Sequence, residues 1–266
     1  MNHVAPQTAG ANSDSISIIT ATLNSEDDLP RLLNSLRQQT DRNFELIIVD
    51  GGSRDSTWRI IQAHADVVTV AIGEPDHGLY DALNKGIRAS NSDFYVVLGA
   101  DDTFRPDAIA NYKAALRASG ADVIVAAVMA GGVIRRGFSR HRAWLGHSAM
   151  VTSHSVGMLF RKALHDRFGY YSLRYSLLAD GLFIKQVCTS DKVRVTAVPF
   201  VAGEFGTAGS SNRDVARALF ETWQIQLDTG ENPFIQYLLF QFRLFKRLPV
   251  ILLRPSRREK KADSAV

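Results

Sequence analysis

A single cysteine, Cys188, occurs in 266 residues. That excludes an intramolecular disulfide and any cysteine-rich metal centre, and it is compatible with a reducing compartment. The chain also lacks a charge-free apolar run of membrane-spanning length. Its most apolar stretch, PFIQYLLFQFRLFKRLPVILLR at 233–254, is interrupted by Arg243, Lys246, Arg247 and Pro249. No G-x-x-x-x-G-K-[ST] loop occurs, and no G-x-G-x-x-G follows the second apolar run, which leaves P-loop and dinucleotide readings weak. Residues 1–15, MNHVAPQTAGANSDS, have neither a basic start nor an apolar core and read as a polar tail rather than a signal peptide. Internal repeats are absent.

An evenly basic surface is missing too, although the pI is about 9.3. Eight basic residues and one acid lie between positions 243 and 261, leaving 23 basic against 25 acidic residues up to Phe242. The basicity belongs to the C-terminal end, and nucleic acid is not an expected partner.

What is present is a strand–helix alternation. Apolar runs at 15–23, 44–49, 67–72, 94–98 and 123–128 read as strands. Helical spacing covers 26–39, 54–65, 79–89 and 106–119. This rhythm predicts an α/β fold with a Rossmann-like, mostly parallel sheet flanked by helices. It breaks after Gly131, where 135–153 is basic and aperiodic and reads as an active-site loop or lid. Beyond it, 156–161 is apolar, 161–168 and 180–189 are helical, and 193–198 is a strand ending at Pro199. Helices follow over 212–229 and from Pro233.

Polar groups gather where the strands stop. FYVVLGADD at 94–102 ends a buried strand on two adjacent acids, Asp101 and Asp102. Ligands collect beyond the carboxyl ends of strands in open α/β sheets, and two acids side by side repel unless a cation joins them. A divalent ion is the economical explanation; a solvated loop with Asp102 capping the next helix is the plain alternative. In the turn DGGSRD at 50–55, Asp50 can accept hydrogen bonds from a base or ribose, and glycines such as Gly52 allow close backbone approach. Ser53 or Asp55 can equally serve as a helix cap. In EPDHGLYDALNKG at 74–86, Tyr80, Asp81, Asn84 and Lys85 project from the first turns of a helix whose N-terminus suits a phosphate or sugar hydroxyl.

In this order and spacing, TATLN, VDGGSRDST, EPDHGLYDALNKGI and LGADD resemble family 2 of the nucleotide-sugar glycosyltransferases, which have the GT-A fold. The similarity runs over 15–211 and includes colanic-acid-type and mycobacterial phenolic-glycolipid-type members. It implies a donor nucleotide of UDP, GDP or dTDP type held by Thr22, Asn24, Asp50, Gly52, Asp81, Lys85 and Asp101. It also implies a Mg²⁺ or Mn²⁺ site at Asp101 and Asp102. SHSVGMLFRKAL resembles the family segment centred on a His, here His154, and LRYSLLADGLF the segment holding the catalytic Asp, here Asp180. EFGTAGSS, with Gly209 and Ser210, resembles its glycine-serine stretch. His154, Arg174, His147 and His141 are candidates for contacts to acceptor or diphosphate. Two departures stand out. Gly99 replaces the first acid of the usual D-x-D, and Ala179 and Gly181 replace acidic or aromatic neighbours of the catalytic Asp.

The activity implied is inverting hexosyl transfer to a surface-polysaccharide or glycolipid precursor, a lipid-linked or glycan acceptor, with Asp180 as base. A sugar nucleotidyltransferase and an inactive scaffold of the same fold are the alternatives. The expected organisation is a tail over 1–14, a catalytic domain over 15–211, amphipathic C-terminal helices over 212–254 and a basic tail over 255–266. The last helix is expected to lie on the inner face of the cell membrane, making the protein cytoplasmic and peripheral. Packing on the catalytic domain or in a homodimer is its other use.

Overall fold

The computed structural model describes residues 14–153, 155–206 and 214–253. Strands β1 (Ile16–Thr22), β2 (Glu45–Asp50), β3 (Val70–Gly73) and β4 (Phe94–Val97) are parallel neighbours in the order β3-β2-β1-β4. Between them run α1 (Leu29–Arg37), α2 (Thr57–Ala63) and α3 (Leu79–Ala89). Because the strands are parallel, their C-termini and the loops that follow come to one edge.

The apolar residues of β1 divide between two cores. Ile16 and Ile18 join Leu32, Leu36, Ile109 and Tyr112 on one face, and Ile19 joins Tyr80, Leu83, Tyr95 and Phe183 on the other. A strand alternates its side chains, so burying both faces requires the unbroken apolar runs seen in the sequence. α1 and α4 (Ala108–Ser119) cover the first face, and α3 and α7 (Ala179–Thr189) the second.

The second half departs from an all-parallel winding. β8 (Met158–Arg161) inserts antiparallel between β4 and β6 (Val123–Ala130), so the sheet is mixed. The two-residue β5 (Thr103–Phe104), invisible to periodicity, follows Asp102 and pairs antiparallel with β9 (Val195–Phe205). β9 does not stop at Pro199. It pairs parallel with β6 on both sides of a register shift, and Pro199, which has no N–H to offer a ladder, lies inside that irregularity. The 135–153 segment holds structure of its own: β7 (Val133–Arg135) starts just before it, a 3-10 turn covers Arg140–Leu145, and α5 is His147–Met150. α6 (Leu164–Phe168), α8 (Val215–Asp228) and α9 (Pro233–Leu253) complete the chain. His154, Gly209, Ser210, residues 1–13 of the N-terminal tail and the basic tail lie outside the described residues.

Candidate active site

β1 and β2 end side by side, with Thr22 in register with Asp50. Asp50 is buried, and each carboxylate oxygen takes two hydrogen bonds. Oδ1 accepts from Thr22 Oγ1 (3.1 Å) and Ser53 Oγ (2.5 Å), and Oδ2 accepts from the Gly52 and Ser53 amides (3.2 and 2.9 Å). Gly52, at φ 90°, occupies the left-handed region this turn requires. Asn24 ties the neighbouring loop to it, donating its amide to Ser53 Oγ (2.8 Å) and accepting from the Arg54 amide on Oδ1 (2.9 Å). Asp55 accepts the Thr57 N–H at the start of α2. Asp50 thus holds the turn that follows β2 in one shape.

The 74–85 segment forms the next wall. Asp81 Oδ2 accepts the His77 amide (3.1 Å) and pairs with Lys85 Nζ (3.2 Å). Lys85 also meets Glu74 Oε1 (3.0 Å) and the Pro75 carbonyl (3.1 Å). The His77 amide, with Lys85 adding to it, holds the Asp81 carboxyl below its ordinary range. Lys85 therefore braces this loop.

Asp102 is 1% exposed, which overturns the solvated helix-cap alternative. Its Oδ2 accepts the Gly99 amide (2.6 Å) and its Oδ1 the Gly206 amide (2.8 Å). Burial pushes its carboxyl up to about 7; the two amides oppose this, and the neighbouring Asp101 charge adds to it. The Asp101 backbone carbonyl accepts a hydrogen bond from Arg31. A Cβ on Gly99 would stand 2.9 Å from Asp101 Oδ1 and 3.2 Å from Asp102 Oδ2, so both carboxylates turn back into the space a first acid would fill. Among the described residues no group of three or more His, Cys, Asp or Glu side chains could hold a metal. One or two carboxylates, completed by substrate phosphates and water, are nonetheless the usual protein share of a Mg²⁺ site, and this pair of hard oxygen donors fits such an ion.

Asp180 sits in the first turn of α7, and both of its described hydrogen bonds fall on Oδ1. Tyr80 Oη lies 2.7 Å from it and 2.8 Å from the Leu177 carbonyl, and the Gly181 amide donates at 2.9 Å. Among the described residues no hydrogen bond falls on Oδ2. Burial, and then the Asp180 charge, push the Tyr80 phenol well above its ordinary pKa, so it stays a donor. A Cβ on Gly181 would lie 2.6 Å from His147 Nδ1: the ring occupies the space of the missing side chain. Burial, reinforced by Arg243, lowers the His147 pKa, while Asp180 raises it. Tyr80 and Asp81 are consecutive, so the first turn of α3 joins the Asp180 corner to the strand-end rim. Arg174 is engaged elsewhere, bonding Asp228 Oδ2 on α8 (2.8 Å), and His141 is exposed. The larger described cavity, about 530 Å³ beside Arg105, Pro106, Asp107, Phe200 and Val201, contains none of the candidate residues.

Residues 17–181 match the family model described as Glycosyl transferase family 2. The chain belongs to that family. Similarity to this glycosyltransferase family extends beyond the matched span. A PGL/p-HBAD biosynthesis glycosyltransferase of Mycobacterium tuberculosis (strain ATCC 25177 / H37Ra) is 31% identical over 256 residues, 90% of this chain and 89% of that one. The fold is also that of S. aureus TarS 1-349, solved with UDP-GlcNAc, at a TM-score of 0.66 and 18% identity over 92% of this chain and 77% of that one. Mannosyltransferase PcManGT from Pyrobaculum calidifontis, solved with GDP-Man and Mn2+, superposes with a TM-score of 0.61 and 16% identity over 91% and 72%. The architecture is therefore of GT-A type, and the chain is a glycosyltransferase rather than a nucleotidyltransferase.

Two residues of this glycosyltransferase, Glu221 and Arg31, escape sequence reading, and Tyr80 reads only as one of the polar groups on the first turns of α3. Tyr80 reaches Asp180 across 100 positions. Glu221, buried on α8, accepts the amides of Ser176, Leu177 and Leu178 (3.1, 3.0 and 2.9 Å) and so fixes the approach to Asp180. Arg31 braces Asp101. An acid on an otherwise amphipathic helix is the only hint of Glu221, and Tyr80 reads with Asp81, Asn84 and Lys85 rather than with Asp180.

Proposed function

We propose that this glycosyltransferase moves one sugar, with inversion, from a nucleotide-sugar donor to a glycolipid or surface-polysaccharide precursor at the cytoplasmic face of the cell membrane. The observation that carries the reading is the Asp180 carboxylate, held by Tyr80 and the Gly181 amide through one oxygen only and joined by α3 to the strand-end rim. The donor classes in the TarS and PcManGT complexes, UDP-GlcNAc and GDP-Man, support a nucleoside diphosphate leaving group. Relatives named for PGL/p-HBAD biosynthesis support a glycolipid-type acceptor.

In this reading Thr22, Asn24, Asp50 and Gly52 present the turn that receives the nucleotide, and Asp81 closes its side. Asp101 and Asp102 would hold Mg²⁺ or Mn²⁺, which supplies charge neutralisation on the departing diphosphate. Asp180 Oδ2 takes the acceptor hydroxyl proton as that oxygen attacks the anomeric carbon in line. Tyr80 and Glu221 keep the carboxylate aimed.

Asp180→Asn tests this. The variant keeps its donor-induced thermal shift in a screen of UDP-, GDP- and dTDP-sugars with Mn²⁺, while transfer falls by about 10²–10⁴-fold. Unchanged transfer would remove Asp180 as the base. Stabilisation by one nucleotide class, only with metal present, is the companion result, and slow metal-dependent donor hydrolysis separates the enzyme from an inactive scaffold.

A further inference from the structure

The two faces of α9 differ in kind. On the outer face Phe234, Leu238, Phe242, Phe245 and Leu248 recur every three or four residues and are 41–76% exposed. Lys246 lies beside this stripe, its Nζ 4.5 Å from the Phe242 ring centroid, and Arg247 after it is exposed. α9 contains no acidic residue. On the inner face Phe240 packs on Trp223 of α8, and buried Gln236 donates to the Trp144 carbonyl (2.9 Å). Arg243 Nη2 donates to the Leu145 carbonyl (2.6 Å). Gln226 of α8 reaches the same Trp144 carbonyl (2.6 Å). Gly146 and His147 come next, and the His147 ring lies against Gly181 beside Asp180. Only a few residues separate the underside of the exposed helix from the carboxylate assigned as base.

We propose that α9 seats on an anionic lipid bilayer and that this seating fixes the 140–151 segment, so membrane docking and ordering of the acceptor side are one event. The inference rests on the Asp180 assignment and the lipid-type acceptor proposed above. Charge selects the occupant. A second copy docking by its own α9 would meet an excess of like charge, because eight basic residues and one acid lie between positions 243 and 261. An anionic surface complements those cations, and the aromatic stripe suits the headgroup boundary. No helix among the described residues is long and apolar enough to cross a membrane. Arg243 of the helix bonds the carbonyl of Leu145, two residues before His147, so the helix is close to the site.

The test uses the full chain with vesicles of phosphatidylcholine alone or mixed with phosphatidylglycerol, read by sedimentation and by amide hydrogen exchange. The wild type is expected to sediment only with the anionic vesicles, and its 140–151 amides to exchange about tenfold more slowly there, as local opening is suppressed. Lys246→Gln with Arg247→Gln weakens binding about 25-fold, at about fivefold per cation. Phe242→Asp with Phe245→Asp abolishes binding. Gln236→Leu still sediments but loses the slowing. Vesicle binding by wild type without slower exchange would overturn the coupling, a result that needs no variant to fold. Failure to bind anionic vesicles, or a dimer that the aspartate pair converts to monomer in light scattering, would overturn the bilayer and name a second copy instead. None of these readings uses donor, so failure of the nucleotide-sugar reading shows separately, as a missing thermal shift with nucleoside diphosphate and Mn²⁺.

Discussion

At Gly181 and Gly99 the absence of a Cβ is what the site is built from. Both looked like losses against the family pattern. His147 fills the first gap and the paired carboxylates of Asp101 and Asp102 fill the second. A methyl group at 181 must displace an imidazole or shift α7, and overpacking of this kind costs about 1–3 kcal/mol. Gly181→Ala is therefore expected to lower kcat for transfer while leaving the KM for donor close to wild type, measured by steady-state kinetics at saturating acceptor. A KM effect alone would place His147 on the donor side instead.

Among the elements, α8 does the positioning that the family-matched span leaves undone. Glu221 collects three consecutive backbone amides and the Ser176 hydroxyl with one carboxylate, and Arg217 bonds it from the next turn (3.2 Å). Glu221→Gln turns an amide NH₂ toward those backbone donors, leaving buried N–H groups unpaired at about 1–3 kcal/mol. Urea unfolding should register that loss, with a larger proportional fall in kcat than in donor affinity. β9 shows the same dependence on later chain: its end supplies the Gly206 amide that holds Asp102, and β5 exists only because β9 is there to pair with it.

For the molecule as a whole, the second core and the buried Asp102 carboxyl pull the pH dependence of stability in opposite directions. His165 is 3% exposed among Tyr95, Tyr170, Tyr171 and Phe183. Its Nδ1 lies 2.9 Å from the Gly169 carbonyl and its Nε2 2.7 Å from Tyr95 Oη, an arrangement that suits a neutral ring. Burial holds its pKa below the ordinary imidazole value, with the Gly169 bond and Asp166 opposing. The unfolded chain accepts the proton first, so its contribution to stability is full above about pH 6.5 and declines as pH falls below it. His147 shifts in the same direction. Between pH 7.5 and 5.5 each such histidine costs at most about 1.4 kcal/mol per pH unit of unfolding free energy. Asp102, whose buried carboxyl stands at about 7, takes up a proton in the folded chain and opposes that loss, so the His165 share is read as the change in slope on His165→Gln. An unchanged slope would mean that the ring charges freely in the native state.

Local chemistry was enough to write down the first half of the fold. The unbroken apolar runs of β1, β2 and β4 and the helix spacing of α3 need only neighbours in sequence to be read, and Asp50, Asp101 and Asp102 advertise themselves by standing where such runs stop. Family membership was legible for the same reason, since four short motifs in order carry it. The tertiary structure alone decided the antiparallel insertion of β8, the passage of β9 through Pro199, and the partners of Asp180. Those depend on contacts between residues 40 to 100 positions apart, Tyr80 with Asp180 and Glu221 with the 176–178 amides, and no local propensity encodes which distant group will satisfy a buried donor or acceptor.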